Sequence, residues 1–162
     1  MVTDYDGLTE QVTVTALTPG SVYRFHYIAT NFHGDSVASA ILSAAASILP
    51  DPPGSPLIDW AKSSKTGLHL DWLANSTGTL PTASILGYLL QMDSGNGTYV
   101  TVYDGSFLPG TLGVLVDGLT NGALYNFQVI AVNYNGQSAP SSSTSYYACT
   151  APTLFAAPTI VS

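Results

Sequence analysis

Tyr125, Phe127, Val129 and Ala131 alternate with Asn126, Gln128, Ile130 and Val132. A two-residue period of this kind places one set of side chains on each face of a β-strand. Tyr23, Phe25, Tyr27 and Ala29 follow the same rule, and no window sustains the spacing of an amphipathic helix. Turn-forming pairs interrupt the pattern at strand-like intervals: Pro53-Gly54, Asn96-Gly97, Asp104-Gly105, Pro109-Gly110, Asn121-Gly122 and Asn135-Gly136. Seven strands are predicted, near Pro56–Ala61, Gly67–Leu73, Ser84–Met92, Tyr99–Tyr103, Leu112–Asp117, Ala123–Asn133 and Thr144–Thr150. Short strands so spaced predict an all-β sandwich.

The pattern also repeats itself. Residues 12–36, VTVTALTPGSVYRFHYIATNFHGDS, lie without a gap over 114–138, VLVDGLTNGALYNFQVIAVNYNGQS, at a constant offset of 102 positions. Leu17, Tyr23, Phe25, Ala29, Asn31 and Gly34 meet Leu119, Tyr125, Phe127, Ala131, Asn133 and Gly136. VTDYDG at 2–7 echoes VTVYDG at 100–105, and Pro56-Leu57-Ile58 returns as Pro158-Thr159-Ile160. A fixed period of this kind indicates tandem units. Three segments are expected: 1–49 as the C-terminal half of one repeat, 50–151 as a complete repeat, and 152–162 as a linker and the first strand of a following repeat.

The motifs resemble the fibronectin type III family. Trp72 in GLHLDW matches the core tryptophan of that family's second strand, and Gly87-Tyr88 matches the start of its third. Leu17-Thr18-Pro19 leads to Tyr23 and then to Ala29, Asn31 and Gly34, which fits the family's Leu-x-Pro-x-x-x-Tyr followed by Ala-x-Asn-x-x-Gly. The second copy departs once, with Asn121 in the proline position. The resemblance implies tandem immunoglobulin-like sandwiches in which Tyr23 and Tyr125 are corner residues and Trp72 lies in the core. The corner tyrosine buries its ring while its hydroxyl bonds backbone a few residues upstream.

Composition narrows the partners. Of 162 residues only 8% are charged, with three basic against ten acidic side chains and a net charge of -7. Arg24, Lys62 and Lys65 cannot neutralise a run of phosphates, so nucleic acid and anionic membrane surfaces are excluded as expected partners. The weakly polar run Ala38–Leu49 is too short for direct membrane insertion. A surface solvated by Ser, Thr, Asn, Gly and Tyr favours an extracellular or cell-surface location. The start of the chain carries no secretory signal pattern, and the fragment reading leaves that without weight.

Catalytic chemistry has no motif here. His26, His33 and His69 are dispersed, and no metal-binding, nucleophile-elbow, dinucleotide or phosphate-loop pattern is present. No enzyme activity, cofactor or metal is expected. Asp93-Ser94-Gly95-Asn96-Gly97-Thr98 alternates oxygens with small residues, but lacks the downstream acid of a calcium loop and reads as a hairpin turn. Asn75-Ser76-Thr77 and Asn96-Gly97-Thr98 are N-glycosylation sequons in predicted loops. Cys149, the sole cysteine, is read as an inert thiol, a disulfide partner of a cysteine beyond this window, or a reactive thiol. Trp60 is read either as packing on its own domain or as an interface residue.

The leading expectation is a structural or adhesive spacer of a larger extracellular multi-repeat protein. Its expected partners are neighbouring repeats, identical chains in a surface filament or matrix, and other surface proteins. The Pro-rich stretch SILPDPPGSP is expected to restrict bending between repeats. Two alternatives stay open. One is a receptor-like binding module using the loops Ala74–Ser84 or Asp104–Gly113, and the other is a non-catalytic linker of a carbohydrate-active enzyme.

Overall fold

Phe127 and Val129 are completely buried at the centre of the longest strand, and the architecture is arranged around them. The computed structural model describes residues 11–75 and 84–150. Twelve strands occur in that range: β1 (Val22–Phe25), β2 (Thr30–Asn31), β3 (Gly34–Asp35), β4 (Leu42–Ala45), β5 (Leu57–Ser64), β6 (Gly67–Asp71), β7 (Gly87–Asp93), β8 (Val100–Gly105), β9 (Gly113–Val116), β10 (Leu124–Asn133), β11 (Gly136–Gln137) and β12 (Thr144–Tyr147). Among the described residues there is no helix, and so none long and apolar enough to cross a membrane.

Strands β5 to β12 form one complete sandwich. In one sheet β10 lies between β7 and the pair β11 and β12, and β8 forms the far edge beside β7. The second sheet runs β5-β6-β9. All pairings are antiparallel, with Phe127 opposite Met92 and Leu70 opposite Val114. Leu68, Leu70, Trp72 and Val116 from one side meet Tyr88, Leu90, Phe127 and Val129 from the other. Each fully buried side chain of this size contributes about 2 kcal/mol through removal of apolar area from water.

Residues 17–49 reproduce part of this pattern. Pairing of Val22 with Ala45 and of Phe25 with Leu42 is repeated, 102 positions on, by Leu124 with Tyr147 and Phe127 with Thr144. Asn31 opposite Gly34 is likewise repeated by Asn133 opposite Gly136. Tyr23 is only partly covered, whereas Tyr125 is buried. No opposing sheet lies over Tyr23 among the described residues, so the same alternation leaves more of its ring in water.

The structure moves several expected boundaries. β5 extends to Ser64 because the pairing with β6 is irregular between Asp59 and Ser64, which accommodates extra residues. β1 ends at Phe25 and β12 at Tyr147, leaving His26 and Cys149 outside regular strands. The echo at 2–7, the sequon residues Ser76 and Thr77, and the segment 152–162 lie outside the described residues.

Candidate functional site

Asn133 at the end of β10 and Asn135 in the turn to β11 make three side-chain hydrogen bonds to the chain that precedes the sandwich. The Asn135 side chain donates from Nδ2 to the Ser47 carbonyl at 2.5 Å and accepts the Ala45 N–H on Oδ1 at 2.8 Å. Asn133 donates from Nδ2 to the Ile48 carbonyl at 2.9 Å. Its Oδ1 accepts the N–H groups of Asn135 at 2.8 Å and Gly136 at 3.2 Å, which fixes the tight turn between β10 and β11. Gly136 has φ of 137°, and a Cβ there would stand 3.1 Å from Leu49 Cδ2. Glycine therefore serves both the backbone conformation and the close approach of the linker.

The linker is tied down along its length. Thr144 donates from Oγ1 to the Pro56 carbonyl at 2.8 Å, and Asn75 donates from Nδ2 to the Asp51 carbonyl at 2.6 Å. Pro50, Pro53 and Pro56 are buried. Proline fixes φ and brings no N–H that would need a partner in such a place. To the prolines the structure adds a set of side-chain amides aimed at carbonyls of this stretch. The repeat singles out Asn133, and Asn135-Gly136 reads as a turn pair, but neither shows the partners, which lie 85 to 90 positions away.

The corner residues make the bonds the motif implies. The Tyr125 hydroxyl accepts the Thr120 N–H at 3.0 Å, and the Tyr23 hydroxyl accepts the Thr18 N–H at 2.8 Å. Hydrogen bonding to Thr18 holds the Tyr23 phenol below its ordinary pKa. Trp72 is 3% exposed and sits between the rings of Tyr88 and Tyr103, at centroid distances of 6.0 and 6.2 Å. Trp60 is half exposed and meets Tyr146 edge-on at 6.3 Å, so one flank packs on its own domain while the other faces solvent.

The two sequon asparagines differ. Asn96 is exposed on the turn between β7 and β8, whereas the Asn75 side-chain nitrogen is engaged with Asp51. In that turn Asp93 Oδ1 accepts N–H bonds from Gly95, Asn96 and Gly97, and Asp93 Oδ2 accepts from Asn126 Nδ2 at 2.9 Å. The Asn126 bond, and then the three backbone donors, hold the Asp93 carboxyl below its usual range in spite of its burial. Cys149 is a free, partly buried thiol.

Among the described residues, one group of side chains able to ligate a metal comes together that the dispersed histidines did not suggest. Asp59, His69 and Asp71, from neighbouring strands β5 and β6, bring ligand atoms within 4.8 Å of one another. Lys62 already pairs with Asp59 at 2.8 Å, and His69 Nδ1 stands 3.5 Å from Asp71 Oδ1. The lysine bond holds the Asp59 carboxyl low and raises the Lys62 pKa. An ammonium in this position supplies the countercharge a cation would bring.

Comparison with known proteins follows the same lines. The model of the fibronectin type III domain matches residues 51–146. Fibronectin type-III domain-containing protein 3a of Gallus gallus is 33% identical over 148 residues, covering 90% of this chain. The chain spans only 12% of that relative's length. The solved fibronectin type-III domain of human fibronectin type III domain containing protein 3 has 31% identity and a TM-score of 0.51, over 65% of this chain and 91% of that one. The FN1-FN3 domains of chicken CNTN1 share the fold at 18% identity with a TM-score of 0.56, over 83% of this chain and 43% of theirs.

Proposed function

The chain belongs to the fibronectin type III family, and from that premise we propose that it is a structural spacer of a larger extracellular multi-repeat protein. In this reading residues 1–49 are the rear half of one repeat, 50–151 a complete repeat and 152–162 the linker and first strand of the next. The observation that carries it is the amide clamp from Asn133 and Asn135 onto Ala45, Ser47 and Ile48. A linker needs no such clamp unless the angle between successive units matters, because flexible connections are the default between domains. The module has no catalytic role in this reading. A surface with few charged side chains and the exposed sequon at Asn96 support a cell-surface or matrix setting.

Residual dipolar couplings on the full chain test the reading. One alignment tensor is expected to fit both the β1–β4 segment and the sandwich. Two independent tensors would remove the spacer function, since the joint would then bend freely.

A second reading is favoured by one observation. Phe107 is 81% and Leu108 55% exposed at the tip of the loop between β8 and β9. Two apolar side chains held out on a rigid scaffold suit a protein-binding module. Binding of a purified candidate partner that is lost in Phe107→Ser would move the assignment to that class.

A further inference from the structure

Asp59 and His69 stand opposite one another on β5 and β6, and Asp71 follows His69 by two residues, on the same face. Leu68 and Leu70 of the same strand are buried in the core, so the three side chains share the outer face of the sheet. Their ligand atoms lie within 4.8 Å of one another. His69 Nδ1 is 3.5 Å from Asp71 Oδ1, and it is buried without a hydrogen-bond partner. Opposite Asp71 on β9 is Gly113, where a Cβ would run into Asp71 Oδ1. Glycine at that register position leaves the room in which the Asp71 carboxylate lies beside the imidazole.

The irregular stretch of β5 holds two of these residues in place. Ser63 Oγ donates to the Asp59 carbonyl at 2.7 Å and accepts the His69 N–H at 2.9 Å, so one hydroxyl ties the pair together. The Ala61 N–H donates to Asp59 Oδ1 at 2.9 Å, which fixes that carboxylate and leaves Oδ2 to the Lys62 ammonium at 2.8 Å. Hydrogen bonds of this kind orient the side chains that bind a metal.

We propose that Asp59, His69 and Asp71 form a binding site for a divalent transition-metal ion of the zinc class, with Lys62 as the cation that it displaces. One imidazole nitrogen and two carboxylate oxygens are ligands that zinc takes, and three protein ligands leave a fourth tetrahedral position to water. Calcium prefers a larger set made of oxygens alone. Zinc bonds of about 2.0 Å set neighbouring tetrahedral ligand atoms about 3.3 Å apart, close to the 3.5 Å between His69 Nδ1 and Asp71 Oδ1. A buried nitrogen without a partner is costly, and the ion supplies that partner. The two carboxylates bring two negative charges, of which Lys62 balances one. The lysine side chain is 58% exposed, and exposed ion pairs are weak, so the ammonium yields to a divalent ion at little cost. Bound there, the ion joins β5 to β6 where their pairing is irregular, a role independent of the spacer reading.

Zinc chloride titrated into the full chain tests the proposal, in a Cys149→Ser background so that the thiol takes no part. Calorimetry should give one zinc per chain, and the ring signals of His69 should shift in NMR spectra while those of His26 and His33 stay in place. Asp71→Asn keeps the shape of the side chain and should weaken binding at least about tenfold, the loss that follows removal of even a group that only orients a metal ligand. Lys62→Gln should tighten binding about threefold, the worth of the exposed ion pair it removes. Both side chains are well exposed, and amide spectra check that each variant keeps the sandwich. A surface that merely collects zinc would show neither response. Absence of binding, shifts of His26 or His33 as large as those of His69, or affinity indifferent to Asp71→Asn overturns the proposal. Unchanged or weaker affinity in Lys62→Gln overturns it as well.

Discussion

Asn135 and Ser47 are separated by 88 positions of chain and joined by a side-chain hydrogen bond of 2.5 Å. The bond fixes the direction from which the polypeptide enters the sandwich, and it stands outside the hydrophobic core. Asn135→Ala is therefore expected to loosen the joint and spare the domain. Denaturant unfolding of the sandwich should change by no more than about 0.5 kcal/mol, while the β1–β4 segment acquires its own alignment tensor. A large loss of stability instead would mean that the clamp is part of the core.

The two corner tyrosines should respond unequally to loss of the hydroxyl. Tyr125→Phe leaves the Thr120 N–H without its 3.0 Å acceptor beside a buried ring, which costs about 1 to 2 kcal/mol. Tyr23→Phe removes a bond of similar length at a site that water can reach, so its cost should be clearly smaller. Urea titrations followed by backbone amide NMR signals from each segment compare the two.

Acid should weaken the sandwich through Asp93. Its carboxyl is held below the ordinary value by Asn126 and by the N–H groups of Gly95, Asn96 and Gly97. A carboxyl whose folded pKa is below its unfolded value stabilises the fold above the unfolded value, about 3.9 for aspartate, and loses that contribution as pH falls through the folded pKa. Asp93→Asn is expected to flatten the fall in unfolding free energy below about pH 4. An unchanged slope in acid titrations of stability would exclude this role.

Gly87 leaves no space for a side chain. A Cβ there would lie 1.7 Å from the Gly105 carbonyl oxygen on the neighbouring strand. Gly87→Ala must push β8 from β7, at a cost of about 3 kcal/mol. Gly95→Ala meets no atom within 4 Å but carries φ of 95°, so its penalty is conformational and should be smaller, about 1 kcal/mol. Thermal unfolding of both variants ranks the two effects.

Expressed through a secretory route, the chain should carry glycan at Asn96 in preference to Asn75. Asn96 is exposed, and the Asn75 nitrogen that would receive sugar is committed to the Asp51 carbonyl at 2.6 Å. Intact mass of Asn96→Gln and Asn75→Gln variants distinguishes the sites. Full occupancy at Asn75 would require its side chain to be released from the Asp51 carbonyl.

The strands and the corner were legible because they are local. Alternation from Tyr125 to Ala131 marked one face of a strand, and the resemblance of the segment from Leu17 to Tyr23 to the fibronectin type III motif implied the corner. β5 ran past its expected end because an irregular register is a property of two strands together, and the β5 sequence alone does not show it. The joint was legible in part. Prolines marked a linker, the repeat marked Asn133 and a turn pair marked Asn135, yet the bonds that unite them depend on a distant segment folding back against the turn. Asp59, His69 and Asp71 illustrate the same limit, since they lie close only when β5 and β6 pair.

The register shifts in β5 and β8 bear on how the sandwich meets other strands. Both strands lie at sheet edges, where unpaired backbone groups can recruit a foreign strand. With only 8% charged residues, charge repulsion offers little defence against that event. The shift between Asp59 and Ser64 and the shift between Leu90 and Gln91 break the even ladder that an invading strand would extend. A foreign strand then finds no continuous register to join, so the irregular edges guard the sandwich against strand exchange.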